Sequence, residues 1–314
     1  MRFEKLPTTI NQQIALLRER GMTLADEDVA VRWLETVGYY RLSAYWLPFE
    51  EAPPDGRTRS KTFRTGTSFE DVIDIYTFDR KLRLLVTEAI ERIEINVRAR
   101  WTNRVALAYG AHAHMDPALL DSGWKHARWL ANLSERTGES REVFIEHYRR
   151  KYDDPYLPPL WAVTELMTFG ELSKWVEATR DARIRSAVAK DLGLPTQEVL
   201  TGTLQLLSYV RNVCAHHGRL WNRRTVKRLP NIKRRTFAEN LEADEDATSA
   251  QRQLSNRLYN VLTMLNLLVR HQAPDTSFPA RLRELVETRT DEQLTAMGFP
   301  ADWQNRSAWQ PNAD

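Results

Sequence analysis

Arg211, Asn212, His216 and His217 lie within seven residues of one another, directly after an apolar helical run, Leu206-Leu207-Ser208-Tyr209-Val210. These side-chain types match phosphodiester cleavage. A guanidinium neutralises charge developing on phosphorus, and an imidazole moves protons near neutral pH. RNA carries its own nucleophile in the 2′-hydroxyl, so the set needs no metal. Adjacent His216 and His217 diverge by about 100° on a helix and make a poor chelate, and no DxD or HxxxH pattern accompanies them. No cofactor is expected. One geometric difficulty stands out: Arg211 and His216 are five residues apart, roughly 140° around and about 7.5 Å along an ideal helix. A long side chain, a distortion near Gly218 or a second copy of the chain would be needed to bring them into one cleft.

The four residues sit at the head of a charged segment. Residues 211–235 carry nine basic side chains (Arg211, Arg219, Arg223, Arg224, Lys227, Arg228, Lys233, Arg234 and Arg235) and no acid. The chain as a whole is only +3, so the other 289 residues sum to −6 and the positive potential is local. An anionic partner is expected there. Of the 45 basic residues 36 are Arg, the residue suited to bidentate phosphate contacts. Trp221, interleaved with the cations, is expected to offer a stacking surface, and His217 to touch phosphate, shape the pocket or serve the fold alone.

The elements that must position these residues read as helices, predicting an all-α fold. Ile14 and Leu17 mark a helix closing at Gly21. Asp26 caps a second, which Gly38 stops. Residues 39–69 are expected to form an ordered loop or a short β-hairpin around Pro53-Pro54-Asp55-Gly56. From Phe69 to Leu107, apolar residues recur at three and four, and Glu88-Arg92 and Glu94-Arg98 support a long amphipathic helix. Further helices are predicted over 160–167, 170–179 and 182–192, from Thr196 into the basic segment, from Leu254 to Leu268, and from Pro279 to Glu287. Three regions follow: a helical N-terminal part (1–68), a helical core (69–273) with an insertion around 108–160, and a tail (274–314) packing on the core. A single cysteine, Cys214, excludes an internal disulfide framework and fits a reducing cytoplasm. No apolar run approaches a membrane span, and the N-terminus lacks a signal-peptide core.

The string Arg211-Asn212-Val213-Cys214-Ala215-His216 resembles the Arg-x4-His motif of the HEPN superfamily. Its continuation through Arg219-Leu220-Trp221-Asn222-Arg223 is similar to Abi-like proteins of the AbiD/AbiF abortive-infection type. Residues 39–46, 63–69, 76–83, 88–95 and 169–173 resemble further blocks of that family. The resemblance implies a helical HEPN core, usually dimeric, serving bacterial anti-phage defence as a metal-independent endoribonuclease that leaves 2′,3′-cyclic phosphate ends. Arg211 and His216 would be the catalytic pair and Asn212 the residue ordering them. A homodimer and a phage-derived trigger are the implied partners besides RNA. Relatives of the AbiF type are linked to small structured RNAs, so a protein that binds such an RNA without cutting it is the alternative. A helical module sensing a phage protein is a third reading.

Overall fold

The computed structural model describes Arg2 and residues 6–53, 59–244 and 253–310. Among these residues it holds fourteen α-helices, no strand and four isolated β-bridges. The all-α expectation holds. The chain forms two compact units, Met1–Arg83 and Leu84–Asp314.

In the first unit, α1 (Ile10–Glu19) opens with Thr9 and Gln12 bonded reciprocally, side chain to backbone, and buries Ile14 and Leu17. Gly21 at φ +93° turns the chain out of it. The Asp26 carboxylate accepts the Val29 N–H at the start of α2 (Glu27–Thr36), and Gly38 (φ +90°) separates it from α3 (Tyr39–Trp46). That third helix corrects the expectation for residues 39–69. Leu42, Tyr45 and Trp46 are buried at three-and-four spacing, so the aromatic block is a core helix face. The hairpin shrinks to a single bridge, Glu50 with Phe63, flanked by bonds from the Glu51 N–H to the Thr62 carbonyl and from the Arg64 N–H to the Phe49 carbonyl. The turn expected between them lies largely outside the described residues. The opening turns of α4 (Phe69–Tyr109) complete this core with Phe69, Val72, Ile75, Phe78 and Leu82. Buried Asp79 accepts from the Tyr45 hydroxyl at 2.7 Å and pairs with Arg83. Burial first, and Asp79 second, pushes the Tyr45 pKa up, so its proton stays on the oxygen.

The boundary between the units falls inside the 41-residue α4. In the second unit, Arg98 donates to the Thr164 and Met167 carbonyls and the Trp101 indole donates to Thr179. These bonds tie α4 to α7 (Leu160–Val163), the 3-10 turn after it and α8 (Phe169–Ala178). The insertion contributes α5 (His126–Glu139) and α6 (Val143–Lys151). Before them, two 3-10 turns bury His114, with the His126 ring 2.8 Å from its carbonyl oxygen.

The centre of the second unit is α10 (Gln197–Ala215), packed on α8 and on α9 (Ala182–Asp191). Thr196 caps it, and Leu200, Leu204, Leu207 and Val210 are buried along it. A Cβ at Gly170 would lie 3.2 Å from the Ser208 hydroxyl, so the glycine sets how closely α8 approaches. Beyond the four-residue α11 (Arg235–Ala238) comes α12 (Leu258–Gln272), buried around most of its circumference. It starts four residues later than expected, because Leu254 instead bridges to Ala243. The tail forms α13 (Phe278–Glu287) and a helix absent from the sequence expectation, α14 (Asp291–Met297), capped by Thr290. It is part of the second unit: Trp309 donates to Thr263 of α12 at 2.9 Å. Among the described residues, no helix is long and apolar enough to cross a membrane.

Candidate nucleic-acid interface

The helix that carries the motif ends where the chemistry begins. Arg211 and Asn212 sit on the last full turn of α10, and His216 is the residue at which the helix closes (φ −87°). His217 then adopts the left-handed conformation at φ +55°. Its N–H bonds the Cys214 carbonyl, and the Gly218 N–H bonds the Val213 carbonyl at 2.8 Å. That bond pair is the Schellman closure, with histidine standing where glycine is usual. The backbone cost of a left-handed histidine is about 1 kcal/mol or more, and the surrounding turn must hold it. A Cβ at Gly218 would approach the Val213 carbonyl to 3.2 Å, which accounts for a glycine one residue later.

The turn is braced on both sides. Leu220 and Trp221 are 0% and 1% exposed and anchor the chain in the core. Arg223 donates to the Arg219 carbonyl at 2.6 Å and to the Tyr209 hydroxyl at 3.2 Å, stitching the returning chain to α10. Sequence reasoning missed Tyr209. It lies three residues before Asn212 and seven before His216, so the helical stripe that carries both also carries the phenol. Asn212 and His216 are exposed, Arg211 is half-buried, and the Arg211 guanidinium stands 3.4 Å from the Asn212 side-chain oxygen. On an ideal helix Arg211 and His216 leave the backbone roughly 140° apart, and the Arg211 side chain reaches towards Asn212.

Beyond the brace, the basic segment runs back along α10. Pro230 sits on Gly202, where a Cβ would come within 2.8 Å of the proline ring, and Leu229, Ile232 and Phe237 point inward. Arg224, Lys227, Arg228, Lys233, Arg234 and Arg235 point outward. The nine cations are therefore not equivalent. Arg228 is ion-paired with Asp244, and Arg235 with Glu239 at 3.3 Å, both acids arriving from beyond the acid-free stretch. Arg223 serves as the brace, and His217 forms the cap. Arg224, Lys227, Lys233 and Arg234 are exposed and have no ion pair among the described residues. The stacking surface expected of Trp221 is not present, because its ring is enclosed by the core. Cys214 is likewise buried.

No group of three or more His, Cys, Asp or Glu among the described residues has a geometry that would hold a metal ion. The sequence profile of the Abi-like proteins matches residues 32–222, more than half of the 314-residue chain. The chain belongs to the Abi-like family. In this Abi-like protein the matched span ends one residue short of Arg223, after the motif, its helical cap and the buried Leu220-Trp221 anchor. No curated protein and no solved structure gives a significant match to the chain.

Proposed function

We propose that this Abi-like protein is an endoribonuclease of the HEPN type acting in abortive infection, with Arg211 and His216 as its reacting pair. The observation that carries the reading is the end of α10: a capped turn presents His216 and Asn212 to solvent, and the basic segment that follows it runs back along the helix with exposed cations. His216 removes the proton from a ribose 2′-hydroxyl, whose oxygen attacks the adjacent phosphorus. The bond to the 5′-oxygen breaks, that oxygen takes up a proton, and a 2′,3′-cyclic phosphate remains. Arg211 balances the added negative charge on the phosphoryl oxygens, and Asn212 orients the guanidinium beside it. Lys227, Lys233 and Arg234 hold the strand.

The divergence of Arg211 and His216 within one chain supports a homodimeric site, in which each copy completes the other's. It equally supports the second reading, a protein that binds a structured RNA through this surface without cutting it. One experiment separates them. Purified wild type, Arg211→Ala and His216→Ala are incubated with total RNA in EDTA and the ends are mapped. Cleavage leaving cyclic phosphates, lost in both variants, establishes the nuclease. Salt-sensitive binding by all three without cleavage establishes the binder.

A further inference from the structure

Six aromatic side chains are conspicuously exposed among the described residues, and four of them, Phe144, Tyr152, Tyr156 and Trp161, fall within one stretch of eighteen residues. The stretch begins on α6. This helix buries only Ile145, so packing alone explains little of its outer surface. Phe144, Tyr148 and Tyr152 recur at four-residue spacing, and His147 and Lys151 fall on the same stripe. The Tyr148 and Tyr152 rings are 5.1 Å apart, and the Tyr148 hydroxyl is fixed by a 2.7 Å bond to the Pro155 carbonyl. The Lys151 ammonium lies 5.3 Å from the centre of the Tyr152 ring, within cation–π range.

The cations beside the ladder form no ion pair among the described residues, although Glu142, Glu146, Asp153 and Asp154 balance the charge of the segment. Arg149 donates to the Ser140 carbonyl and Arg150 to the Glu146 carbonyl, and neither forms an ion pair with a carboxylate among the described residues. Lys151 has none either. Three cations at a helix C-terminus do complement the dipole, but that role asks for no aromatic ridge. Asp153 and Asp154 follow and mark where the positive strip ends.

We infer that the outer face of α6 is a second RNA-contact surface, which takes an unpaired, single-stranded segment. Bases stack on Phe144 and Tyr152 while Lys151, on the same stripe, and the flanking Arg150 meet the phosphates. The ring spacing argues for an unstacked strand. Phe144 and Tyr152 are eight residues apart, about 12 Å along a helix, too far for two neighbouring bases that remain stacked on each other. The inference rests on the RNA reading above but concerns different residues, so the two fail separately.

The test measures anisotropy of a labelled 2′-O-methyl oligouridine, which offers no nucleophilic hydroxyl, and of a blunt RNA duplex. The full chain is compared with Phe144→Ala/Tyr152→Ala, with Phe144→Trp/Tyr152→Phe and with Lys233→Glu/Arg234→Glu. Circular dichroism melts and size-exclusion profiles accompany each. The alanine pair should weaken oligouridine binding about tenfold or more at unchanged fold. The aromatic-preserving pair should retain that binding, and duplex binding should stay unchanged in both. If the alanine pair binds as wild type while the Lys233/Arg234 variant does not, the α6 proposal falls and the RNA reading stands. If wild type binds neither RNA at low salt, both fall. Should the alanine pair dissociate an oligomer without altering RNA affinity, the face is a contact between copies and the proposal is overturned.

Discussion

Burying His114 makes the stability of this protein depend on pH in a defined direction. The side chain is 2% exposed and neither ring nitrogen has a hydrogen-bond partner among the described residues. Burial first, then the neighbouring His112 and His126, lowers its pKa from 6.5 to about 4. An unfolded chain therefore binds a proton between those values that the folded chain refuses. Stability is full above the unfolded pKa and is lost as pH falls towards the folded one. For this pair of pKa values the loss between pH 7 and pH 5 is about 2 kcal/mol, and it approaches about 3 kcal/mol below pH 4. His114→Phe removes the titrating group and keeps a planar ring, and its larger volume shifts stability by the same amount at each pH. Urea unfolding followed by circular dichroism at pH 7, 6 and 5 reads the difference between variant and wild type, so that the other histidines cancel. The variant should gain about 2 kcal/mol on wild type as the buffer moves from pH 7 to pH 5. Parallel dependences in the two proteins would refute the assignment, meaning that His114 either meets solvent or is protonated in the folded state.

Two further outcomes follow from burial. Asp79→Ala removes the carboxylate shared by Tyr45 and Arg83 in the first unit and should cost about 3 kcal/mol or more, read as a lowered urea midpoint. Trp221→Ala should cost about 3 kcal/mol or more through the cavity it leaves, while RNA affinity per folded molecule, measured by anisotropy at a temperature where the variant is folded, stays close to wild type.

Periodicity located α1, α2, α4 and α10, whose apolar stripes or caps are plain in the sequence. The leucines of α10 and the caps at Asp26 and Thr196 locate their helices from sequence, because a helix stripe and an N-cap are local facts. Residues 39–46 misled because Tyr and Trp favour strands, and only the burial of Leu42, Tyr45 and Trp46 shows that the three-and-four spacing governs. At the candidate site, residue types were legible and environments were not. A tryptophan between arginines reads the same whether it lies on a surface or under one, and Trp221 lies under. The partners of Arg228 and Arg235 come from Asp244 and Glu239, outside the window that made the segment look uniformly free. The Arg223 brace depends on a chain reversal that no local period encodes.

On the proposed function, the closure of α10 also determines which kind of contact would read a phosphate there. The N–H groups of His216, Gly218 and His217 are all committed to carbonyls of the helix they terminate. Glycine-rich phosphate loops work the other way, leaving such groups free to cradle an anion whatever side chains surround them. At this turn the main chain has already spent its donors, so recognition passes to side chains alone. Each phosphate contact is then written in a single codon, open to gain or loss by one substitution, and a scan of point variants across 209–235 would encounter every part of it.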